Sequence, residues 1–439
     1  MRNYVIIGSG AAGIAAAEAI RGADSQGEIT LVSQEREGYY SRPGLAYYLT
    51  GEISEAYLFP FQEKDFQHLN LRRLHARALR VLPQEHRLEL EGRPPLAYDR
   101  LLIATGASAV RSDVPGAELD GVVQLDSLEE TRQMLKRARR GHTAVVVGGG
   151  ITALEIVEGL RARHMKVQYL LRDKRYWANV LEEAESRWIE RRLQHDGVQI
   201  HFQAELVEIL GKRGRVSGVR LADGRQIPCQ MVAVAIGVRP RLALAESAGL
   251  KVERGALVDE HLRTSDPDIY AAGDVAQVFD PILGKATVAS LWGPSRQQGH
   301  TAGLNMAGQS AVYARGVPFN VTRLAGLTTT LIGTIGGSEA DRDVVGIARG
   351  DSETWRAMPD AIAAQAAFDV NRLRLMVGGQ RLVGAVLMGD QTLSQALYHL
   401  VAEQADITPI RDALLQPKAR LADILADFWV SWRAQHAAK

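Results

Sequence analysis

Short, wholly apolar runs alternate with stretches whose apolar positions recur at helical spacing. Tyr4-Val5-Ile6-Ile7 is one such run, the pattern of a strand buried on both faces. It leads into Gly8-Ser9-Gly10-Ala11-Ala12-Gly13, and the Ala-rich segment that follows predicts a helix to about Arg21, with a second apolar strand over Glu28 to Ser33. The same order recurs further on. Ala144-Val145-Val146-Val147 runs into Gly148-Gly149-Gly150-Ile151-Thr152-Ala153, then a helix to about Arg163 and a strand over Lys166 to Leu171. Strand, glycine turn, helix and strand make one βαβ unit, so the repetition predicts two nucleotide-binding domains.

The segments between read as antiparallel excursions. His86-Arg87-Leu88-Glu89-Leu90 alternates before Gly92-Arg93-Pro94-Pro95 breaks the chain, and Val216 to Leu221 followed by Ala222-Asp223-Gly224 predicts a hairpin. From about Gly316 the pattern changes to short apolar strands (Arg374 to Val377, Leu382 to Met388) followed by helices. The final helix, Leu421 to Ala438, sets Leu421, Ile424, Leu425, Phe428 and Trp432 at helical spacing. That face packs on its own domain or on a dimer mate; an anchor at a membrane surface is the alternative.

Composition narrows this only slightly. The 439 residues exceed one ordinary core, and 46% hydrophobic with 23% charged residues fits a globular protein. A net charge of +1 supplies no global field toward nucleic acid or membrane. No segment has the roughly 20 uninterrupted apolar residues of a spanning helix, and the N-terminal apolar stretch reads as a strand rather than a signal peptide, so the expectation is cytoplasmic. The one cysteine, Cys229, cannot form an internal disulfide or a cysteine-rich metal site. The 11 histidines show no ligand spacing, so no metal is expected. Cys229 falls in a strand-like stretch, Ile227 to Ala235, where burial is its expected role.

The glycine turns carry the chemistry. A dinucleotide pyrophosphate needs backbone N–H donors at a helix N-terminus with no side chain in the way. Gly8 permits the tight turn, Gly10 lets the phosphates approach, and Gly13 lets helix and strand pack, with Ser9 and Ala12 in the same turn. Glu35, about twenty residues beyond Gly13, can accept from both hydroxyls of an adenosine ribose. In the second turn Gly148, Gly150, Ile151 and Thr152 repeat the arrangement, with Ala153 at the third glycine position. After the next strand comes Arg172-Asp173-Lys174-Arg175. Arg172 stands where an acid would bind a ribose 2′-hydroxyl, and so favours a 2′-phosphate and NADPH, with NADH as the alternative that Asp173 keeps open.

Thr264-Ser265-Asp266-Pro267-Asp268-Ile269-Tyr270-Ala271-Ala272-Gly273-Asp274 joins a turn, a short strand and an abrupt Gly-Asp. With Leu102-Ile103-Ala104-Thr105-Gly106 and Val234-Ala235-Ile236-Gly237-Val238-Arg239-Pro240, the chain resembles the two-dinucleotide-binding FAD/NAD(P) pyridine nucleotide oxidoreductases. Tyr39-Tyr40-Ser41-Arg42-Pro43-Gly44-Leu45, Leu291-Trp292-Gly293-Pro294, Gln298 to Gly308 and Leu382 to Asp390 resemble rubredoxin and ferredoxin reductases and nitrite reductase flavoprotein domains. The resemblance covers most of the chain and is weakest after about Leu393.

The resemblance implies an α/β fold: two Rossmann-like dinucleotide-binding domains, one inserted in the other, plus a C-terminal α+β domain. The boundaries would be 1–110 with 239–315 for FAD, 111–238 for NAD(P)H, and 316–439 for an interface domain that could make a homodimer. It places Arg42 and Pro43 beside the flavin and its phosphates, Asp274 with Gly273 on the ribityl chain, and Trp292 at the pyrimidine edge. Ala104, Thr105, Gly106 and Gly237 would line the cleft, and the backbone of Ala78 would meet the adenine. Glu155 would contact the nicotinamide as the group nearest the chemistry, whereas an acid there could simply favour the helix dipole.

Two departures matter. Thiol-dependent relatives keep a cysteine within the segment filled here by Arg42-Pro43-Gly44, and Tyr47 replaces a lysine found in many ferredoxin reductases. The implied activity is hydride transfer from NAD(P)H to FAD, then electron transfer to a small carrier such as rubredoxin or ferredoxin. Basic clusters such as Arg72-Arg73 and Arg139-Arg140 could attract it, although such clusters are more often solvated faces. An NAD(P)H oxidase using oxygen directly and a nucleotide-sensing flavoprotein acting through interactions are the rival readings.

Overall fold

The computed structural model describes residues 1–280, 284–335, 361–367 and 371–436. They form two compact units, one of Met1–Arg172 with Gly197–Arg315, the other of Asp173–Asp196 with the described residues from Gly316 onward.

The first unit contains two five-stranded parallel sheets. One runs in the order Ile269–Ala271, Arg100–Ile103, Asn3–Ile7, Glu28–Ser33, Leu71–His75. The other runs Gln199–Phe202, Lys166–Leu171, Thr143–Val147, Met231–Val234, Val122–Val123. In each, the glycine turn leaves a central strand that has the next strand in sequence on one side and a later strand on the other. That is a topological switch point, where a crevice opens at the strands' carboxyl ends. The helix Ala11–Ala23 is rich in alanine because Trp292–Met306 lies close against it. A Cβ added at Gly299 would stand 2.0 Å from the Ala12 carbonyl oxygen, and one at Gly303 would stand 2.5 Å from that of Ala16.

Two three-stranded antiparallel sheets decorate these layers. Ala78–Leu82, Arg87–Leu90 and Arg93–Ala97 form a meander. Pro94 and Pro95 therefore lie inside a strand rather than breaking the chain. They are tolerated because this strand is at the sheet's edge, where no further ladder needs their missing N–H groups. Leu206–Lys212, Arg215–Leu221 and Gln226–Pro228 form the second sheet, with the hairpin at Asp223. Cys229 is buried as expected but sits between strands, after Gln226–Pro228 and before Met231–Val234. Ala107–Ala109 and Val238–Pro240 pair antiparallel where the chain passes out and back.

The second unit is an antiparallel five-stranded sheet in the order Phe319–Leu324, Leu327–Gly333, Arg381–Met388, Asn371–Gly378, Ala361–Ala367. Helices Ser394–Ala402, Thr408–Leu414 and Leu421–His436 cover it. Leu421, Leu425 and Trp432 are buried in this unit's own core with Leu375, Leu387 and Leu397, so the last helix packs on its own unit. Its expected last residues, Ala437 and Ala438, lie outside the described residues. Arg372 and Arg374, two apart on one strand, share a face. Both donate to Glu185 of helix Glu183–His195, at 3.0 and 2.9 Å from their Nε atoms, and Glu185 is fully buried.

Candidate active site

The first glycine turn is shaped by its own backbone. Gly8 has φ +117°, and a Cβ there would stand 2.1 Å from the carbonyl oxygen of Ala104. A Cβ on Gly13 would stand 1.9 Å from the carbonyl oxygen of Gly8. Gly10 differs, since a Cβ there would meet nothing within 4 Å. The turn is closed where strand and helix touch and open at the helix start. No side chain caps that helix, so its first N–H groups point at the space beside Gly10. Ser9 is tied down by hydrogen bonds to the Ser33 hydroxyl at 3.0 Å and the Gly38 carbonyl at 3.2 Å. Ala12 is buried beneath, 3.1 Å from where a Gly273 Cβ would lie. A pyrophosphate group fits this cradle.

Around it the fold gathers opposite charges from distant parts of the sequence. Arg42 donates to Glu35 Oε1 at 2.5 Å and to the backbone carbonyl of Asp126, whose carboxylate lies 3.8 Å away. Arg241 reaches Asp126 at 3.4 Å, the Ser108 hydroxyl at 2.6 Å and the Thr105 carbonyl at 3.1 Å. Thr105 and Gly106 follow the strand Arg100–Ile103, and the Thr105 hydroxyl donates to the Arg241 carbonyl. Gly273 donates its N–H to Gln298 at 2.8 Å, while Asp274 accepts from Ser295 at 3.3 Å. Burial raises the Asp274 carboxyl above the usual carboxylate range, opposed by the Ser295 hydroxyl and Arg42. Trp292 stacks on Tyr39 with centroids 5.8 Å apart.

The second turn repeats the first. Gly148 has φ +141°, with its hypothetical Cβ 2.1 Å from the Ala235 carbonyl oxygen, and a Cβ on Gly150 would again meet nothing within 4 Å. Ile151 and Thr152 open the helix Ile151–Ala162, which also has no side-chain cap. Glu155 stands one turn in. Burial and neighbouring Glu158 push its carboxyl up to about 7. Gly237 accepts from Val110 N–H at 2.9 Å, just before the paired crossover strands. Arg172 is exposed at the end of strand Lys166–Leu171. The Arg175 guanidinium donates to the carbonyls of Leu181 and Ala178.

Glu35, Arg42, Thr105, Gly106, Gly273 and Asp274 thus belong to the loops beyond the carboxyl ends of the first parallel sheet. Pro43 caps the helix Gly44–Thr50 next to Arg42, and Ala104 backs the Gly8 turn. Ala78 is placed differently, opening the first strand of the meander opposite Leu90. Asp126, Arg241, Ser295, Gln298 and Tyr39 also belong to the site, although none is a site residue expected from the sequence. Arg241 directly follows the Val234–Pro240 motif, and Gln298 and Tyr39 lie inside two others, but nothing local marks Asp126.

Two parallel sheets in one unit, each with a phosphate-shaped turn at its switch point, define a protein built to hold two dinucleotides. The chain belongs to the pyridine nucleotide-disulphide oxidoreductase family, whose model matches residues 2–299. It is 32% identical over 283 residues to rubredoxin-NAD(+) reductase of Ectopseudomonas oleovorans, covering 64% of this chain and 73% of the relative. It is also 32% identical over 395 residues to the ferredoxin–NAD(+) reductase component of the biphenyl dioxygenase system of Paraburkholderia xenovorans (strain LB400), covering 87% and 93%. Among solved structures, a ferredoxin reductase from Rhodopseudomonas palustris superposes with a TM-score of 0.84 at 25% identity, over 96% of this chain and 99% of that one. The protein is an NAD(P)H-dependent flavoprotein oxidoreductase. No helix among the described residues is long and apolar enough to cross a membrane.

Proposed function

We propose that this protein takes hydride from NADPH onto FAD and passes the electrons to a small carrier of the rubredoxin or ferredoxin type, with no thiol relay. The pair of open glycine positions, Gly10 and Gly150, at two switch points of one unit is the observation that carries this reading. When bound, the two cofactors supply the redox chemistry, and the protein supplies position and electrostatics. The first turn with Glu35, Arg42 and Asp274 binds FAD. Trp292, braced by Tyr39, borders its ring, and Thr105, Gly106 and Gly237 line the cleft. The second turn binds the nucleotide, Glu155 holds the nicotinamide end, and Arg172 takes the 2′-phosphate. Residues 1–110 with 239–315 serve FAD, 111–238 the nucleotide, and the C-terminal portion from 316 an interface.

A thiol relay is disfavoured on chemical grounds. The lone Cys229 is buried, and burial pushes its thiol up to about 12, leaving almost no thiolate at neutral pH.

The test is anaerobic stopped-flow mixing with NADPH and NADH separately, followed by addition of rubredoxin or ferredoxin. Rapid bleaching by NADPH and rapid reoxidation by a carrier are the expected results. Rapid oxygen consumption that no carrier accelerates would replace this reading with an oxidase. Failure of both nucleotides to bleach the flavin would point to a protein acting through interactions.

A further inference from the structure

The helix Gly44–Thr50 starts at Arg42-Pro43, beside the first cradle, and the helix Ile151–Ala162 starts at the second. Their far ends are joined. Arg163, the C-cap of the longer helix, donates from Nε to the Leu49 carbonyl at 2.9 Å and from a terminal nitrogen to the Tyr48 carbonyl at 3.1 Å. These are last-turn carbonyls, and the Tyr48 carbonyl also accepts from the Gly51 N–H at 3.1 Å, so a cation there completes the helix end and favours the helix dipole. One residue on, Gly51 closes the helix at φ +88°, and a Cβ at that glycine would stand 3.1 Å from the Arg163 guanidinium. On the longer helix, Gly159 leaves room for fully buried Leu49. A Cβ at Gly159 would stand 2.4 Å from Leu49 Cγ, well inside van der Waals contact. Shape and hydrogen bonding therefore fix the same joint independently.

The lever arms are short. At 1.5 Å per residue, the two helices run about 10 Å and about 18 Å from the joint to the cradles. Helices of that length bend little, so a shift at the joint reappears at Arg42 and at Glu155. Nothing in the cradles themselves requires an arginine at position 163 or a glycine at 159. Hydride transfer depends on near-contact alignment, in which a misplacement of about 1 Å can slow the reaction roughly a hundredfold.

We propose that Arg163 and Gly159 are positioning residues whose joint with Leu49 sets the Arg42-Pro43 turn against the Gly150–Glu155 helix start, and so fixes the nicotinamide against the flavin. This rests on the cofactor assignment above.

The variants Arg163→Met, Arg163→Lys and Gly159→Ala test it. Arg163→Met and Gly159→Ala should retain FAD and bind nucleotide within about threefold of wild type, while hydride transfer slows by about ten- to a hundredfold. The long-wavelength absorption from stacked nucleotide and flavin should weaken in parallel. Arg163→Lys, which keeps the charge and a single donor nitrogen, should recover part of the rate. Adding Leu49→Ala to Gly159→Ala, which restores space, should recover part of it too. In flavin-free protein, amide exchange over residues 44–50 should quicken in Arg163→Met.

An unchanged hydride rate in folded Arg163→Met and Gly159→Ala would overturn the proposal. So would a loss confined to nucleotide affinity. If Arg163→Met does not fold, Gly159→Ala and Arg163→Lys decide by the same two readouts. Failure of wild-type protein to be reduced by either nucleotide would instead remove the cofactor assignment itself, which separates the two failures.

Discussion

Two alanine substitutions within one turn should fail in opposite ways. At Gly8 the positive φ of +117° disfavours any Cβ, and that atom would stand 2.1 Å from the Ala104 carbonyl oxygen. Backbone strain of about 1–3 kcal/mol and overpacking of about 1–3 kcal/mol together predict that Gly8→Ala destabilises the flavin-free protein by about 2–6 kcal/mol. At Gly10 the backbone is extended, with φ −81°, and nothing lies within 4 Å of a Cβ. Alanine is a poorer N-cap than glycine by about 0.5–1 kcal/mol, and the stiffer unfolded chain offsets about 0.4–1 kcal/mol, so Gly10→Ala should leave that stability nearly unchanged. Its methyl group instead occupies the approach of the pyrophosphate. FAD affinity should fall about a hundredfold, or about 2.8 kcal/mol. Thermal and urea melts of the flavin-free proteins, with fluorescence titration by FAD, measure both quantities. Gly10→Ala protein that binds FAD within threefold of wild type would refute the assignment of the open face to the phosphates. A flavin-free Gly8→Ala protein as stable as wild type would refute the steric account of the turn.

Glu185→Ala leaves Arg372 and Arg374 buried without the carboxylate they share, and should cost about 3–5 kcal/mol, read as a lower thermal midpoint; a change under about 0.5 kcal/mol would show that the cluster is not stabilising. Arg172→Ala should weaken NADPH binding about ten- to a hundredfold and change NADH binding less than about threefold, by equilibrium titration; equal losses would separate Arg172 from the 2′-phosphate. Glu155 titrates at about 7 in the folded protein against an ordinary 4.5, so the folded state favours its protonated form. The stability this gives is full below about 4.5 and is lost as pH rises through about 7. Glu155→Gln should therefore gain thermal midpoint over wild type as pH rises from about 4.5 to about 7, and a constant difference would contradict the shift.

Much was legible along the chain because the signals are local. Strand, glycine turn and helix follow one another within about thirty residues, so Tyr4–Gly13 and Ala144–Ala153 can be read by period and spacing alone. The edge prolines misled because a proline's tolerance depends on whether its strand has an outer neighbour, which no local pattern reports. Asp126 was missed for a related reason. It is an ordinary acid in its own segment, and becomes part of the site only when Arg42 and Arg241 converge on it.

By itself the sequence determined the two βαβ units, the open and closed glycine positions within each turn, and the absence of a second cysteine to pair with Cys229. These depend on backbone conformation and residue type, which act over a few residues. The tertiary structure alone decided which charges meet: Glu35 with Arg42, Asp126 between two arginines, Glu185 under Arg372 and Arg374, and Arg163 on the carbonyls of a helix more than a hundred residues earlier. Coulomb and hydrogen-bond energies depend on distance in space, and only the folded chain sets that distance.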